Sequence, residues 1–134
     1  MAVFVCLRPP NPARGTCKTM LFETSITIMQ HLKEIKPKEL APGLTGYYAH
    51  GTNMTLGLVE IKAGSNLPRH HHPHEQITYI LEGQLDMTID GKGCKLTTGM
   101  YYVIPSNVPH GAVAVTDCKV IDVFNPVRQD YRSV

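Results

Sequence analysis

What this chain of 134 residues lacks already narrows its functions. No apolar run approaches the roughly 20 residues that a helix needs to cross a bilayer, so no membrane partner is expected. No block of like charge marks a solvated tail. No basic stripe interleaved with aromatics marks a nucleic-acid surface, and 13 Lys and Arg against 11 Asp and Glu leave a net charge of only +2. The four cysteines, Cys6, Cys17, Cys94 and Cys118, include no C-x-x-C pair; reduced structural thiols in a cytoplasm are expected. The apolar stretch Ala2–Leu7 has no basic residue before it, and Arg8 and Arg14 come after it. A signal peptide has the opposite polarity. Residues 1–26 therefore read as an arm, or in part as sequence upstream of a later start at Met20 or Met29. Residues 27–134 are long enough to bury one core without disulfides.

What is present is a ladder of short strands. The segment 27–36, TIMQHLKEIK, carries Ile28, Leu32 and Ile35 on one helical face, and Thr27 with Gln30 resembles a capping box. One short helix is predicted there. After "PKELAPG" the helical signal stops. Strands are predicted over 54–61, 76–82, 85–89, 93–97, 100–104, 111–115 and 119–124. Leu85, Met87 and Ile89 alternate with polar residues, the period of a half-buried strand. Asp90-Gly91 is a hairpin turn. Turn signals every eight to twelve residues predict an all-β sandwich or barrel.

The chemistry concentrates in "RHHHPHEQITYILEG", Arg69 to Gly83. On an extended chain His70, His72 and Gln76 point one way, and His71 and Glu75 the other. Two histidines at i and i+2 can both reach one ion about 2.1 Å away. His110, which follows Pro109 at the start of another strand, is the candidate for a third imidazole. His74 is expected to support the site from behind or to face solvent. A set of His and amide ligands suits Ni, Zn, Mn, Fe or Co alike, so a divalent transition metal is the expected cofactor.

These residues also carry a family resemblance. "GSNLPRHHHPHEQITYILEG", Gly64 to Gly83, resembles the first cupin motif, G-x5-H-x-H-x3-E-x6-G, with Gln76 in place of Glu. "GMYYVIPSNVPH", Gly99 to His110, resembles the second, with Asn107 where Gly is usual; four residues on, Ala114 stands where Asn is usual. The resemblance covers about residues 40–125 and implies a double-stranded β-helix, or jelly-roll barrel, holding a metal inside its open end. Replacing Glu by Gln matters physically. A neutral amide cancels none of the ion's charge, which strengthens Lewis-acid action and departs from the 2-His-1-carboxylate set of iron oxygenases.

The last strand adds a second constellation. Asp122 lies mid-strand between Ile121 and Val123, where a carboxylate needs a partner or a wet cavity. By parity it shares a face with Val120 and Phe124, and Arg128 follows after Pro126. The stretch "HGAVAVTDCKVIDVFNPVRQDY" resembles the end of small pectin-degradation cupins, which linearise 4,5-unsaturated uronate monosaccharides. The resemblance implies metal ligands at His70, His72, Gln76 and His110, and active-site roles for Asp122, Phe124 and Arg128. A second glutamine of that family has no certain counterpart; Thr78 is the position to inspect. The implied partner is a small sugar acid, with Asp122 moving protons, Arg128 gripping the carboxylate in two-pronged fashion and Phe124 walling the ring. Two other functions stay open: a cupin dioxygenase, and a non-catalytic sugar-binding sensor. A homodimer is expected, because a barrel of this size has sheet edges to cover.

Overall fold

The computed structural model describes residues 29–132. The arm with Cys6 and Cys17 lies outside them. The predicted all-β barrel is present: ten antiparallel strands in two sheets. The strands are β1 (Lys38–Ala41), β2 (Leu44–His50), β3 (Thr55–Ile61), β4 (Asn66–His70), β5 (Glu75–Glu82), β6 (Gln84–Ile89), β7 (Lys92–Thr97), β8 (Tyr101–Ile104), β9 (His110–Ala114) and β10 (Cys118–Asn125). One sheet runs β1-β2-β3-β10-β5-β8 and the other β4-β9-β6-β7. Six of the nine connections between consecutive strands change sheet, among them β4 to β5 and β8 to β9. No helix among the described residues is long and apolar enough to cross a membrane.

Alternation builds the core. Along β5 Gln76, Thr78 and Ile80 are buried, while Ile77 and Tyr79 are exposed. Along β6 Leu85, Met87 and Ile89 point inward, as their period predicted. Ile80 and Ile104 are fully buried, and Leu44, Val59, Leu96 and Val120 pack with them. The turn at Asp90-Gly91 has φ of 50° and 75°, and it joins β6 to β7 as a tight hairpin.

Three strands were not predicted. β1 and β2 surround the turn at Pro42-Gly43, and β2 carries Gly46, which weakens a strand signal. The glycine has a packing reason. The ring of Tyr48 lies flat over Gly46 and Gly57, and a Cβ at either would come within 2.5 Å of the ring. β4 contains Pro68, which demotes a strand reading. It fits because β4 is an edge strand whose register with β9 shifts between Leu67 and His70.

The predicted helix over 27–36 shrinks to one 3-10 turn, Leu32–Glu34, flanked by extended His31 and Ile35; residues 27 and 28 lie outside the described residues. Pro37 disfavours helical geometry at Lys36. A helix of ten residues has little stability without a buried face, and Leu32 and Ile35 are only half-buried.

Candidate metal centre

One open end of the barrel gathers the histidines. His70 closes β4 and His110 opens β9, and the two residues face each other across that strand pair. Their ring centroids are 4.4 Å apart. His72 lies beyond β4, in the crossing to the other sheet, with its ring 5.0 Å from His110 and 5.7 Å from His70. The expectation of two histidines on one strand thus needs correction: Pro73 and the sheet change end β4 at His70. The bend still brings both rings inward. One ring nitrogen from each of the three lies within 4.8 Å of the others.

The backbone decides which nitrogen each ring offers. His70 Nδ1 lies 2.8 Å from the carbonyl of Pro68, His72 Nδ1 3.1 Å from that of His74, and His110 Nδ1 2.8 Å from that of Val108. A carbonyl only accepts, so each Nδ1 carries the proton and each Nε2 keeps a lone pair. Burial pushes the His72 imidazole down to about 4 and lowers that of His110 as well, with the neighbouring Arg128 adding to both. Burial thus favours the neutral imidazole at His72 and His110. His110 Nε2 is buried without a hydrogen-bond partner.

Gln76 is turned by its neighbours. Its Nε2 donates to Thr78 Oγ1 at 2.8 Å and to Asp122 Oδ1 at 3.0 Å. The carboxylate can only accept from it, which fixes the amide with Oε1 toward His72 Nε2, 3.1 Å away. With the His72 proton on Nδ1, that contact sets two lone pairs against each other. A shared cation satisfies both. The residues present therefore fit a divalent ion held by three imidazoles and, as a fourth donor, the Gln76 amide oxygen. The family's usual Gly is replaced by Asn107 at no backbone cost, because asparagine tolerates the left-handed φ of 62° found there. Its N–H donates to the carbonyl of His72 at 2.8 Å, tying down the crossing.

Asp122 faces the same interior. Thr78 Oγ1 donates to its Oδ1 at 2.7 Å. Both identified donors meet Oδ1, leaving Oδ2 for the cavity. Burial raises the pKa of Asp122, and the bonds from Thr78 and Gln76 and the charge of Arg128 oppose that rise. Phe124 sits beside His72, with ring centroids 5.7 Å apart in edge contact. Arg128 is buried, and its guanidinium lies 4.9 Å from the Phe124 ring centroid and 3.9 Å from that of Tyr131. Its backbone N–H donates to Thr55 Oγ1 at 2.9 Å. The expectation of a free two-pronged grip changes here. Nε and Nη2 already engage Asp130, at 3.0 and 2.7 Å, while Nη1 is buried with no partner.

All of the predicted site residues, with Thr78, line one interior cavity of about 50 Å3, along with Tyr48 and Tyr131. That volume holds an ion and a few waters. His71 and Glu75 face outward, as predicted. His74 is half-buried and serves His72 through its backbone carbonyl rather than its ring. Thr55, Tyr48 and Tyr131 had no distinguishing signal in the sequence. They matter because folding sets Thr55 and Tyr131 against Arg128 and packs Tyr48 on Tyr131.

A double-stranded antiparallel barrel with three convergent imidazoles at one open end is the arrangement of a metal-binding cupin. Residues 57–124 match the cupin domain family, and the chain belongs to it. It is 35% identical over 71 residues to the pectin degradation protein KdgF of Dickeya dadantii, covering 52% of this chain and 64% of that protein. It is 31% identical over 100 residues to H2HPP isomerase of Bacillus subtilis, covering 72% of this chain and 42% of that protein. The solved structure of KdgF from Halomonas sp. superposes with a TM-score of 0.69 at 31% identity, over 75% of this chain and 94% of that one. The chain thus spans less than two thirds of the length of these curated relatives.

Proposed function

We propose that this cupin is a metal-dependent enzyme that opens the ring of 4,5-unsaturated uronate monosaccharides from pectin or alginate breakdown. One observation carries the reading: Asp122 and Arg128 line the same cavity as His70, His72, Gln76 and His110. An outward Asp122 would have favoured a plain sensor. Similarity to the pectin degradation protein KdgF supports the substrate class.

The bound divalent ion would polarise the oxygens of the sugar ring and its substituents. The chain's own groups do the rest. Asp122 accepts the proton of the anomeric hydroxyl as the bond from C1 to the ring oxygen breaks and C1 becomes a carbonyl. The electron pair passes to the ring oxygen, leaving an enolate across C4 and C5. Asp122 returns a proton to C4, and the product is a 5-keto-4-deoxyuronate of unchanged atomic composition. Burial favours the protonated carboxyl and so suits it to both halves of this exchange. Thr78 and Gln76 hold it in place through Oδ1. Arg128 meets the sugar carboxylate through Nη1, with Asp130 steadying the other edge of the guanidinium.

The test is the ultraviolet absorbance of the unsaturated bond. Metal-loaded protein should abolish it for a galacturonate-derived or a guluronate- or mannuronate-derived substrate. Oxygen uptake during turnover would replace this reading with a dioxygenase. Tight binding without absorbance loss would replace it with a sensor.

A further inference from the structure

Tyr48 carries a buried hydroxyl that the chemistry above does not use. The residue is 4% exposed and lines the metal cavity, and its Oη has no hydrogen-bond partner among the described residues. An unpaired hydroxyl in such a place costs stability. The fold nevertheless makes room for it twice. Gly46 and Gly57 occupy inward positions of β2 and β3, where any side chain would collide with the phenol. Strand pairing sets where the ring stands. Tyr48 on β2, Gly57 on β3, Asp122 on β10 and Thr78 on β5 form one row across the sheet. Gly57 has no side chain, so nothing in that row stands between Tyr48 and Asp122. Tyr131 joins Tyr48 to Arg128: its ring centroid lies 4.5 Å from that of Tyr48 and 3.9 Å from the guanidinium. Two buried donors lining the cavity are left without partners, Tyr48 Oη and Arg128 Nη1.

We propose that Tyr48 is a further catalytic residue, its O–H donating to the ring oxygen of the sugar as negative charge develops there. The inference rests on the ring-opening reaction proposed above. In that reaction Asp122 serves the anomeric hydroxyl and C4, and Arg128 serves the carboxylate. The ring oxygen is left without a donor from the chain. It lies between C1 and C5, so it is flanked by the two atoms that Asp122 serves and is bonded to the carbon that bears the carboxylate. The free donor that neighbours Arg128 through Tyr131, and faces Asp122 across Gly57, suits that oxygen. As the bond from C1 breaks, its electron pair collects there and forms the enolate. A fixed donor in a site shielded from water stabilises such an oxyanion without having to reorganise. Burial raises the pKa of Tyr48, with Tyr131 and Asp122 adding to the rise and Arg128 opposing it. The phenol therefore keeps its proton throughout. Its hydrogen bond strengthens, and the one proton that moves still travels by way of Asp122.

Tyr48→Phe tests this, because it keeps the ring and its packing on Tyr131 and removes only the hydroxyl. Loss of one oxyanion donor should lower kcat on the unsaturated uronate by roughly 100- to 1,000-fold. KM should stay within about threefold of wild type, as for a contact made only in the transition state. The melting temperature should equal or exceed that of wild type, since an unpaired buried hydroxyl is gone, and metal content should not change. Tyr47→Phe, one residue along β2 and outside the cavity lining, should leave these values at wild type. A Tyr48→Phe protein as active as wild type overturns the inference and leaves the ring-opening reading standing. So does one that loses stability, because the hydroxyl is then a structural partner. A wild-type protein without turnover overturns the ring-opening reading, and this inference with it.

Discussion

The two ends of the barrel interior are made by the same strands and have opposite chemistry. β5 places Gln76 and Thr78 toward the open end and Ile80 deeper, β10 places Asp122 above Val120, and β9 places His110 above Ala112 and Ala114. Deeper in the barrel the inward side chains Leu44, Ile80, Leu85, Leu96, Ala114 and Val120 are apolar and buried. At the open end every inward polar group has a partner of fixed geometry or points into the cavity. A single strand can therefore carry both core and chemistry, because its inward positions differ in what lies opposite them. Function occupies one end of a face whose other end holds the fold together.

The sharpest way to break this contrast is at a ligand. His110→Ala should abolish stoichiometric metal uptake, measured by elemental analysis, and reduce turnover to background. The loss should exceed the 10- to 100-fold, roughly, that outer partners of a metal site are worth. The barrel should persist, since His110 lies at the rim of the core. Next comes Asp122→Asn. An amide oxygen can still accept from Thr78 and Gln76, so metal content and melting temperature should hold. Turnover should fall by roughly two to four orders of magnitude, the worth of a positioned acid–base group. Loss of metal or of the fold in this variant would make Asp122 structural and move the sensor reading to first place.

At the other end, Ile80→Ala should cost roughly 2–5 kcal/mol of stability by leaving a cavity where Ile80 is fully enclosed. Denaturant titration should show this while metal stoichiometry stays at the wild-type value. A drop in metal binding as large as the drop in stability would mean that the two ends are not separable.

The smallest effect is a pH dependence confined to the open end. In the folded, metal-free protein burial holds His72 at about 4, against an ordinary value of about 6.5. Between those values the unfolded chain binds the extra proton and the folded chain does not. Stability should then fall as pH drops from about 6.5 to about 4 and level off below. His110 and His74 are lowered by burial too and act in the same direction. Melting curves of metal-free protein check this, and the deficit caused by Ile80→Ala should stay constant across the range.

Much of this was legible before folding was considered. β-Branched and aromatic content placed β5, period-2 alternation placed β6, and parity put Asp122 on one face with Val120 and Phe124 without deciding whether that face points inward. The cluster at 70–76 and the Pro109-His110 pair marked four candidate ligands. β2 escaped because Gly46 looks like a break until the Tyr48 ring is laid over it. β4 escaped because Pro68 reads as a stop unless the strand is known to be an edge. The helix over 27–36 was an overreading, since periodicity describes a face without showing that anything covers it.

The sequence by itself determined the alternation, the turn positions and the set of donor atoms, because those depend on residues a few places apart. Tertiary structure alone decided the rest. It turned His72 inward where the chain changes sheets, fixed each imidazole tautomer through carbonyls of the turning backbone, and oriented the Gln76 amide through Asp122, 46 residues away. It also occupied the two-pronged edge of Arg128 with Asp130. Each of these depends on which strand lies beside which, and pairing between distant segments is not encoded in local spacing.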